Sequence, residues 1–533
     1  MLPLLYSATT AYFTTLRLRT YLQPFQQEEY DGKRLLKWWI EKHAFDRYTS
    51  LGLLIALPFG WLQPAAPMLT AALWFIFRSR REPDPTTAGK KKLVLTPRAR
   101  KIWYVAATLA VLPVILIAVA PLAPWLKLSL TIALIQFLPF ALVKANWLLW
   151  PVQAYQNRRY LREAHILLTR MAPTTIGLTG SFGKTSTKYI LNHLLAAGAP
   201  TLATPGSVNT PLGIARVVRE QLQPQHQYFL AEMGAYGPGS IAALCKLAPP
   251  VLSCITAVGQ AHYERFKNLE TVARAKFEIA EATLANGGIC ILNADAIPDD
   301  LWQPRVAHAP RSYRLVSARR EVIRDGDYYI ESVSQTSAGL ALTIQHQDMP
   351  TVFAAPIFGA VQAGNLAVAF AMAIELGLPA KTIAGAMATV KPAPYRLNVQ
   401  QSGTQTIIDD SYNANPAGFA TALETLSLIA QADPALQRRR VLITPGMVEL
   451  GTAHATEHAK LGTLASQHAD IILVIGPGRI PTFLETARAG KAALHTFPTL
   501  AAARDWMQSH GQPHDVILLA NDLPDRYESS WAL

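Results

Sequence analysis

Long uncharged runs dominate the first 150 residues of the chain. Residues 102–122 (IWYVAATLAVLPVILIAVAPL) carry no charge over 21 positions, and a helix of that length is about 31 Å long, the thickness of the hydrocarbon core of a bilayer. Residues 129–150 form a second apolar run, interrupted only by Lys144. Because the short linker APWLKL separates the two runs, the pattern predicts a helical hairpin that crosses a membrane twice.

Two further apolar stretches precede this hairpin. Residues 51–77 are broken at Pro58-Phe59-Gly60, and residues 1–16 are short for a span. Residues 1–150 are therefore expected to form a membrane region with about three to four hydrophobic segments. Buried helices of a soluble core and a cleaved signal peptide are the alternatives. The first fits two successive uncharged runs poorly, and the second would need basic residues ahead of the first apolar run.

Beyond residue 170 the pattern changes to short β-rich runs that end at Gly or Asp, separated by helical stretches. This alternation predicts an α/β fold with a largely parallel sheet and ligands at the strand carboxyl ends. Residues 311–357 alternate without a helical period and predict antiparallel strands with a turn at 324–327, followed by a helix over 362–376. A second α/β unit should begin near residue 391, with strands at TIIDD, RVLITPG, DIILVIG and DVILLAN.

The predicted organisation is therefore a membrane region followed by two α/β domains. A basic helix, QNRRYLREAHILLTR, is expected to link them. The predicted bounds are 1–150 for the membrane region, 151–170 for the linker helix, 171–390 for the central domain and 391–533 for the C-terminal domain.

Charge is distributed very unevenly along the chain. Residues 1–170 hold 22 Lys+Arg and 8 Asp+Glu, whereas the remaining residues hold 27 and 28, within an overall net charge of +13. Basic clusters beside apolar runs are typical of the cytoplasmic side of a membrane protein and of contact with membrane lipid, rather than of nucleic-acid binding.

The nine Lys+Arg of residues 78–101 predict a cytoplasmic loop. The domains after Trp150 should then face the cytoplasm. Residues 17–50 would lie on the cytoplasmic side if residues 51–77 enter and leave the membrane on that side. They would lie on the opposite side if residues 51–77 cross the membrane once.

The chain has three cysteines, Cys245, Cys254 and Cys290. Their spacing contains no C-x-x-C pair and no histidine at a metal-ligand distance in sequence. This predicts small buried apolar side chains in a reducing compartment rather than a disulfide framework.

The stretch IGLTGSFGKTSTK, residues 176–188, is a candidate phosphate-binding loop. Leu178 stands where the common form of the loop has its first Gly, but Gly180-x-x-Gly183-Lys184-Thr185 follows a strand and opens a helix. The backbone N–H groups of such a loop wrap phosphate oxygens. Lys184 should neutralise the β and γ oxygens, and the Thr185 hydroxyl should bind Mg²⁺. A glycine turn without a ligand is the alternative.

Three later stretches add candidate chemistry, although each has an ordinary structural alternative. AEMGAYGPGS places Glu232 at a strand end, as a metal ligand or as a helix cap. ITAVGQAHYERF places His262 beyond another strand end, where a structural histidine would also fit. TVARAKFEIAEA places Lys276 on a helix, where a solvated surface lysine is the usual case.

Together with the loop, these stretches resemble the Mur ligase family, the ATP-dependent amide-forming enzymes of peptidoglycan precursor synthesis. TGSFGKTSTK is similar to the family's own loop, which needs no earlier Gly. AEMGAYGPGS and GQAHYERF resemble its two metal motifs, and ARAKFEI resembles the motif whose lysine is carbamylated. The resemblance implies Lys184, His262 and carbamylated Lys276 as catalytic residues, with two Mg²⁺ ions held by Thr185, Glu232, His262 and Lys276.

Other motifs extend the resemblance over roughly residues 171–470. NTPLGIA resembles a substrate-side loop and implies substrate contacts from Asn209 and Thr210. IIDDSYNANP, residues 407–416, and GMVELG, residues 446–451, resemble the branch of the family that adds D-alanyl-D-alanine. The ATP site implied by the resemblance consists of Thr179, Gly180, Ser181, Phe182, Gly183, Lys184, Thr185, Ser186, Asn365, Arg396, Asp409 and Asp410.

The resemblance implies that ATP converts a carboxylate of a peptide-like cell-wall precursor into an acyl phosphate, which an amino acid or dipeptide then attacks. Residues 1–170 depart from the family, whose N-terminal domain binds the uridine-nucleotide end of the precursor. A lipid-linked acceptor beside the membrane is therefore the first alternative. A non-catalytic membrane scaffold is the second, against which the intact site motifs argue. The expected location is a bacterial-type cytoplasmic membrane.

Overall fold

The computed structural model describes residues 2–58, 65–87, 92–259, 268–411, 416–447, 450 and 453–521. They divide into two compact units at Gln156–Asn157, here called the N-terminal unit and, after the family that its motifs resemble, the ligase unit.

The N-terminal unit consists of helices in the part of the chain that is described. Its longest apolar helix begins where Pro97, fixed in a helical φ, follows Thr96, whose hydroxyl accepts the Ala99 N–H at 3.1 Å. The last helix runs unbroken past Pro151 and Gln156 into the ligase unit. The helices are α1 Leu2–Gln27, α2 Gly32–Glu41, α3 Arg47–Ala56, α4 Ala66–Arg81, α5 Pro97–Val119, α6 Pro124–Gln136 and α7 Leu138–Met171.

Helix α5 alone, among the described helices, is long and apolar enough to cross a bilayer by itself. Helices α6 and α7 pass the same test only together, and they meet at a bend of 58°. The second predicted span, 129–150, is thus divided at Phe137. The region 51–77 is divided as well, into α3 and α4, and Phe59 and Gly60 of its break lie outside the described residues.

One end of the N-terminal unit gathers segments that are distant in sequence. The Gln26 side chain donates to the Val94 carbonyl at 2.7 Å and accepts the Val94 N–H at 2.9 Å. The Arg98 guanidinium lies over the Tyr30 ring, and Asn146 donates to the Tyr30 carbonyl at 3.2 Å. The chain around residues 26–30 therefore lies at the same end as the start of α5, beside the basic segment 78–101.

A buried group of charges, here called the ion cluster, joins α1 to the start of α3 and the end of α4. Arg17 lies 3.1 Å from Asp46 and 2.8 Å from Glu82, and these three side chains are at most 2% exposed. Glu82 also accepts the Thr20 hydroxyl at 2.6 Å. The Thr49 N–H bonds Asp46 at 2.9 Å. Each carboxylate therefore has a cation and a neutral donor.

The ligase unit begins with a nine-stranded sheet in the order β2-β3-β1-β4-β5-β6-β7-β8-β9. The first seven strands in this order are parallel, and the last two extend the sheet as antiparallel neighbours. The bounds are β1 Thr174–Thr179, β2 Thr201–Ala203, β3 Tyr228–Glu232, β4 Leu252–Ile255, β5 Ile289–Asn293, β6 Tyr313–Ser317, β7 Tyr328–Thr336, β8 Gly339–His346 and β9 Met349–Ala355.

Helices connect these strands and contribute to two hydrophobic cores of the sheet, as continuous runs of buried residues require. The helices are α8 Lys184–Ala196, α9 Pro211–Gln221, α10 Ser240–Leu247, α11 Leu269–Ala285, α12 Asp299–His308, α13 Gln362–Glu375 and α14 Ala380–Met387. The three cysteines are buried and free, as predicted. Burial raises the pKa of the Cys290 thiol to about 12, which keeps it protonated.

A second sheet has the order β10-β11-β15-β12-β13-β14 and is parallel except for β10. Its strands are β10 Asn398–Ser402, β11 Gln405–Asp410, β12 Arg440–Thr444, β13 Ile471–Ile475, β14 Ala493–Phe497 and β15 Val516–Ala520. Its helices are α15 Pro416–Ala430, α16 His454–His468, α17 Pro481–Arg488 and α18 Leu500–His510.

The mixed α/β architecture with parallel sheets confirms the predicted fold class for the ligase unit. Residues 311–357 differ in one respect, because β6 joins the parallel part of the sheet and only the following strands are antiparallel. The domain bounds stay predictions. Helix α7 runs through the bound placed at residue 150, so that the apolar segment and the predicted basic linker are one helix.

Candidate functional site

The candidate loop and Glu232 are brought together by strand register. β1 pairs in parallel with β3, with Leu178 opposite Glu232, and with β4 on its other side. β1 ends at Thr179, residues 180–183 turn, and α8 begins at Lys184. Because parallel strands end at one edge of the sheet, the loop, Glu232 and the segment after β4 share that edge.

Two glycines of the loop allow unusually close packing. Gly183 has a φ of 85°, and a Cβ there would lie 2.4 Å from Asn365 Oδ1. Gly180 has a φ of 156°, and its Cβ would lie 2.0 Å from Thr256 Oγ1. Any side chain at either position would displace a neighbour, so the loop requires glycine at both positions.

Hydrogen bonds from the segment after β4 hold the loop in place. Ser181 donates its N–H to the Ala257 carbonyl at 2.8 Å, and its hydroxyl contacts both the N–H and the carbonyl of Gly259. The Thr256 hydroxyl donates to the Phe182 carbonyl. The Thr179 hydroxyl donates to the Met233 carbonyl at 2.9 Å. These bonds between neutral groups, none of which involves Lys184, preorganise the loop.

Lys184 is folded back over this loop. Its Nζ donates to the Gly180 carbonyl at 2.6 Å. Burial lowers the pKa of Lys184, and the Arg396 guanidinium adds to this while the Glu232 carboxylate opposes it. The Lys184 amine therefore lies over the loop, where it would be next to a bound phosphate group.

Glu232 is almost completely buried at the end of β3 and is surrounded by donors. Its Oε2 accepts the Thr185 hydroxyl at 3.0 Å and lies 2.9 Å from Lys188 Nζ. Its Oε1 has one long contact, 3.4 Å from the Asn209 amide. A carboxylate beside a hydroxyl is a hard oxygen donor pair of the kind that Mg²⁺ prefers, so these residues fit a magnesium site.

Of the two remaining predicted metal ligands, Lys276 lies among the described residues and His262 does not. His262 lies outside the described residues, and those that are described form no cluster of three His, Cys, Asp or Glu. Lys276 lies on α11 and is 5% exposed, and no hydrogen bond or ion pair joins its side chain to another described residue. Burial, reinforced by Lys184, lowers the pKa of Lys276 well below its ordinary value. A neutral amine is therefore accessible at this position.

The two predicted substrate residues have different surroundings. Asn209 contacts Glu232 and accepts the Tyr236 hydroxyl at 3.1 Å. Thr210 caps α9, accepting the Gly213 N–H at 3.3 Å. Asn209 thus lies in the site, whereas the Thr210 hydroxyl is engaged in holding a helix end.

Asn365 and Ser186 lie on the helices behind the loop. Asn365 is buried on α13, where its Oδ1 accepts the Thr187 hydroxyl at 3.2 Å and its amide donates to Gln362 at 2.7 Å. Ser186 is buried on α8. Asn365 thus supports α8 directly behind the loop, and the nucleotide contacts of both residues stay predictions.

Arg396, Asp409 and Asp410 come from the start of the second sheet. Asp410 accepts the Leu397 N–H at 3.1 Å, and Asp409 accepts the Ser411 hydroxyl at 2.6 Å. Burial raises the pKa of Asp410 to about 7, against the Leu397 N–H and Arg396. Arg396 contributes to the lowered pKa of Lys184, and its contact with ATP stays a prediction. Residues 412–415 and parts of GMVELG lie outside the described residues.

The sequence interpretation missed Lys188 and Glu278. Lys188 follows Lys184 by four residues, so it lies on the same face of α8, a signal that could have found it. Glu278 lies two residues after Lys276 and accepts the N–H groups of Gly239, Ile241 and Ala242. It thereby ties the lysine-bearing helix to the loop that follows Glu232.

Comparison with known proteins agrees with this geometry. The model of the Mur ligase middle domain matches residues 178–373, and that of the Mur ligase, glutamate ligase domain matches residues 395–521. A UDP-N-acetylmuramoyl-tripeptide–D-alanyl-D-alanine ligase of Mycobacterium leprae is 31% identical over 369 residues, 65% of this chain and 70% of that protein. The chain belongs to the Mur ligase family.

Other relatives of this Mur ligase are of the same type. The corresponding ligase of Mycobacterium tuberculosis is 34% identical over 312 residues, which is 57% of this chain and 59% of that protein. A crystal structure of MurF from Acinetobacter baumannii superposes with a TM-score of 0.60 at 27% identity, covering 69% of this chain and 78% of that one. The chain thus spans about 59% of the length of the first curated relatives, and residues 1–177 precede both family matches.

Proposed function

We propose that the chain is an ATP-dependent ligase that joins D-alanyl-D-alanine to a muramoyl peptide through an acyl phosphate. The observation that carries the proposal is the charge surplus at the phosphate loop. Among the described residues, Lys188 is paired with Glu232, and Lys184 is affected by both Glu232 and Arg396, so that the cations outnumber the one described carboxylate that acts on both lysines. A buried excess of positive charge favours anionic ligands, and this reaction brings together a triphosphate and a carboxylate.

The first step transfers a phosphoryl group. A carboxylate oxygen of the muramoyl peptide attacks the γ-phosphorus, the bond from that phosphorus to the bridging oxygen breaks, and ADP leaves. Lys184 would neutralise the β and γ oxygens, while the N–H groups of the loop bind them. Asn209, which contacts Glu232, would hold the acceptor near this point.

The second step forms the amide. The amine of D-alanyl-D-alanine attacks the acyl carbon, the tetrahedral intermediate expels inorganic phosphate, and the amine nitrogen loses a proton. The acyl phosphate is sensitive to water, so the site must exclude it. Arg396, Asp409 and Asp410, at the start of the second sheet, would close over the nucleotide.

Two Mg²⁺ ions, when bound, would offset phosphate charge. Thr185, Glu232, His262 and carbamylated Lys276 would hold them, as the family resemblance implies. The carbamate would form when the neutral amine of Lys276 attacks CO₂ and releases a proton. Its burial without an acidic partner among the described residues supports this step, because the product anion would be stabilised by Lys184 nearby.

We further propose that the N-terminal unit holds the enzyme in a cytoplasmic membrane, with the ligase unit in the cytoplasm. Helix α5 and the bent pair of α6 and α7 support this placement, as do side chains that expose apolar surface on α5, such as Leu112 and Leu116. The basic end near Gln26 and Val94 would face the cytoplasm, which places residues 26–30 inside. A lipid-linked acceptor is then the second candidate substrate.

Phosphate release by the purified full-length chain tests these proposals. The assay contains ATP, D-alanyl-D-alanine and either a UDP-linked or a lipid-linked muramoyl tripeptide. Release that requires both the dipeptide and one acceptor is expected, and the acceptor that supports it names the substrate class. Absence of release with either acceptor would contradict the D-alanyl-D-alanine assignment. Lys184→Met serves as the inactive control, and an alkaline wash of membranes tests the anchoring independently.

A further inference from the structure

Lys188, the last residue of IGLTGSFGKTSTK, has no role in the steps above. Its Nζ lies 2.9 Å from Glu232 Oε2, and both side chains are 1% exposed. The same amine donates to the Gly206 carbonyl, in the turn after β2. This lysine is therefore buried against the carboxylate that is proposed to hold Mg²⁺.

A buried carboxylate requires a nearby positive charge, because removing an ion from water is costly unless it is paired. Without a metal, Lys188 is the cation in direct contact with Glu232 among the described residues. A divalent cation at Glu232 would compete with Lys188 for the same carboxylate. The bond to Gly206 would keep the amine in place when the carboxylate charge is shared with the metal.

The two oxygens of Glu232 are used unequally. Oε2 has both Thr185 and Lys188 as donors at 3.0 Å or less, whereas the one donor to Oε1 among the described residues is the amide of Asn209, at 3.4 Å. The pair with Lys188 therefore fixes the orientation of the carboxylate through one oxygen and leaves the other less engaged.

We infer that Lys188 is a positioning residue that acts as the resident counter-ion of Glu232 and sets how tightly a divalent cation binds there. The inference rests on the proposed function for the presence of a metal at Glu232. Metal binding would then replace a positive charge that Lys188 already supplies. Lys188 would therefore stabilise the metal-free site and lower its affinity for a divalent cation.

The test uses the full-length, nucleotide-free protein and the variant Lys188→Met. The variant should unfold at a lower temperature than the unmodified protein without metal, because Glu232 loses its partner. It should bind Mn²⁺ roughly tenfold more tightly, measured by the electron paramagnetic resonance of free Mn²⁺. Saturating Mg²⁺ should restore most of the lost melting temperature.

A control ion pair shows whether rescue by Mg²⁺ is specific to the pair of Lys188 with Glu232. Arg439 lies 2.7 Å from Asp515, which is 1% exposed, in the second sheet. Arg439→Met should also lower the melting temperature, but Mg²⁺ should not restore it. Lys188→Arg, which keeps the charge, should bind Mn²⁺ like the unmodified protein.

A second variant covers the case in which Lys188→Met does not fold. Lys188→Gln retains a donor without the charge and should show the same gain in Mn²⁺ affinity. Combining Lys188→Met with Glu232→Gln should recover stability and remove the gain. Unchanged or weaker Mn²⁺ binding in folded Lys188→Met or Lys188→Gln would overturn the inference. Failure of the ligase assay in the unmodified protein would instead contradict the proposed function, since the metal measurement does not depend on turnover.

Discussion

The ion cluster of the N-terminal unit and the phosphate-loop site of the ligase unit both bury charge, but they balance it differently. In the ion cluster, Arg17 lies between Asp46 and Glu82, each of which also has a neutral donor. Around the loop, Glu232 is the one described carboxylate that acts on both Lys184 and Lys188, and burial lowers the pKa of Lys184 and of Lys276.

This difference separates a structural use of charge from a functional one. A buried group in which each carboxylate contacts a cation and a neutral donor ties helices together without a ligand. A buried surplus of one sign costs stability in the isolated protein, and it is relieved when a ligand of the opposite sign binds. Removal of Arg17 should therefore lower stability, whereas removal of Lys184, whose amine donates to a backbone carbonyl and not to a carboxylate among the described residues, should not.

The largest effect is expected for Lys184→Met. Loss of the cation that faces the phosphate oxygens should lower kcat by about 10²- to 10³-fold, measured as phosphate release at saturating ATP. The melting temperature should not fall, because a surplus buried cation is removed. The exposed Lys246→Met on α10 is the control. A fall in melting temperature as large as that expected for a broken ion pair would show that Lys184 is not a surplus cation.

The next largest effect is expected for Lys276→Ala. Activity should fall by about 10- to 100-fold, because a ligand of the proposed metal is lost. If the carbamate forms, depletion of CO₂ should reduce the activity of the unmodified protein and added bicarbonate should restore it. Full activity of Lys276→Ala at ambient CO₂ would remove this residue from the proposed metal site.

Arg17→Met tests the other side of the comparison. Two buried carboxylates would lose their cation, which should cost about 3–5 kcal/mol of the free energy of unfolding. Thermal unfolding in detergent measures the loss. Replacing the whole ion cluster, Arg17→Met with Asp46→Asn and Glu82→Gln, should recover much of it. If the single change left stability unaltered, the ion cluster would not hold the helices.

The smallest effect concerns Asp410. Its pKa is about 7 in the folded protein against 3.8 as the ordinary value. Between these values the folded protein binds a proton that the unfolded chain has lost. The stability from Asp410 is therefore fully present below pH 4 and is lost as pH rises through 7. Asp410→Asn should lack this loss, which we expect to be about 1 kcal/mol for a partly exposed group. Thermal unfolding from pH 4.5 to 8 measures it, and the exposed Asp505→Asn should behave like the unmodified protein.

Local pattern was sufficient for elements that are buried along their whole length. The strands that became β1, β3, β4, β12 and β13 were expected from short apolar runs that end at Gly or Asp. The half-exposed strands β10 and β14, with sequences NVQQS and ALHTF, were not, because they bury too little to show a pattern. The bend at Phe137 was also missed, although Pro139, which has no N–H to donate to residue 135, marks it in the sequence.

The candidate site was predictable in its residue types but not in its contacts. Sequence motifs pointed to Lys184, Thr185 and Glu232. The contact of Lys188 with Glu232 joins residues 44 apart in sequence, and it exists because β1 pairs with β3 in one register. Strand order depends on packing of the whole sheet, which local residues do not encode. For the same reason the bond pattern of Glu278 could not be foreseen.

The close approach of Gly183 to Asn365 couples two parts of the chain that are 182 positions apart. Because a Cβ at Gly183 would lie 2.4 Å from Asn365 Oδ1, a side chain at Gly183 would require Asn365 to move or to change as well. Across related sequences, we expect these two columns to be jointly invariant or to drift as a pair. Variation in the phosphate loop should therefore be accompanied by variation on α13, far along the chain.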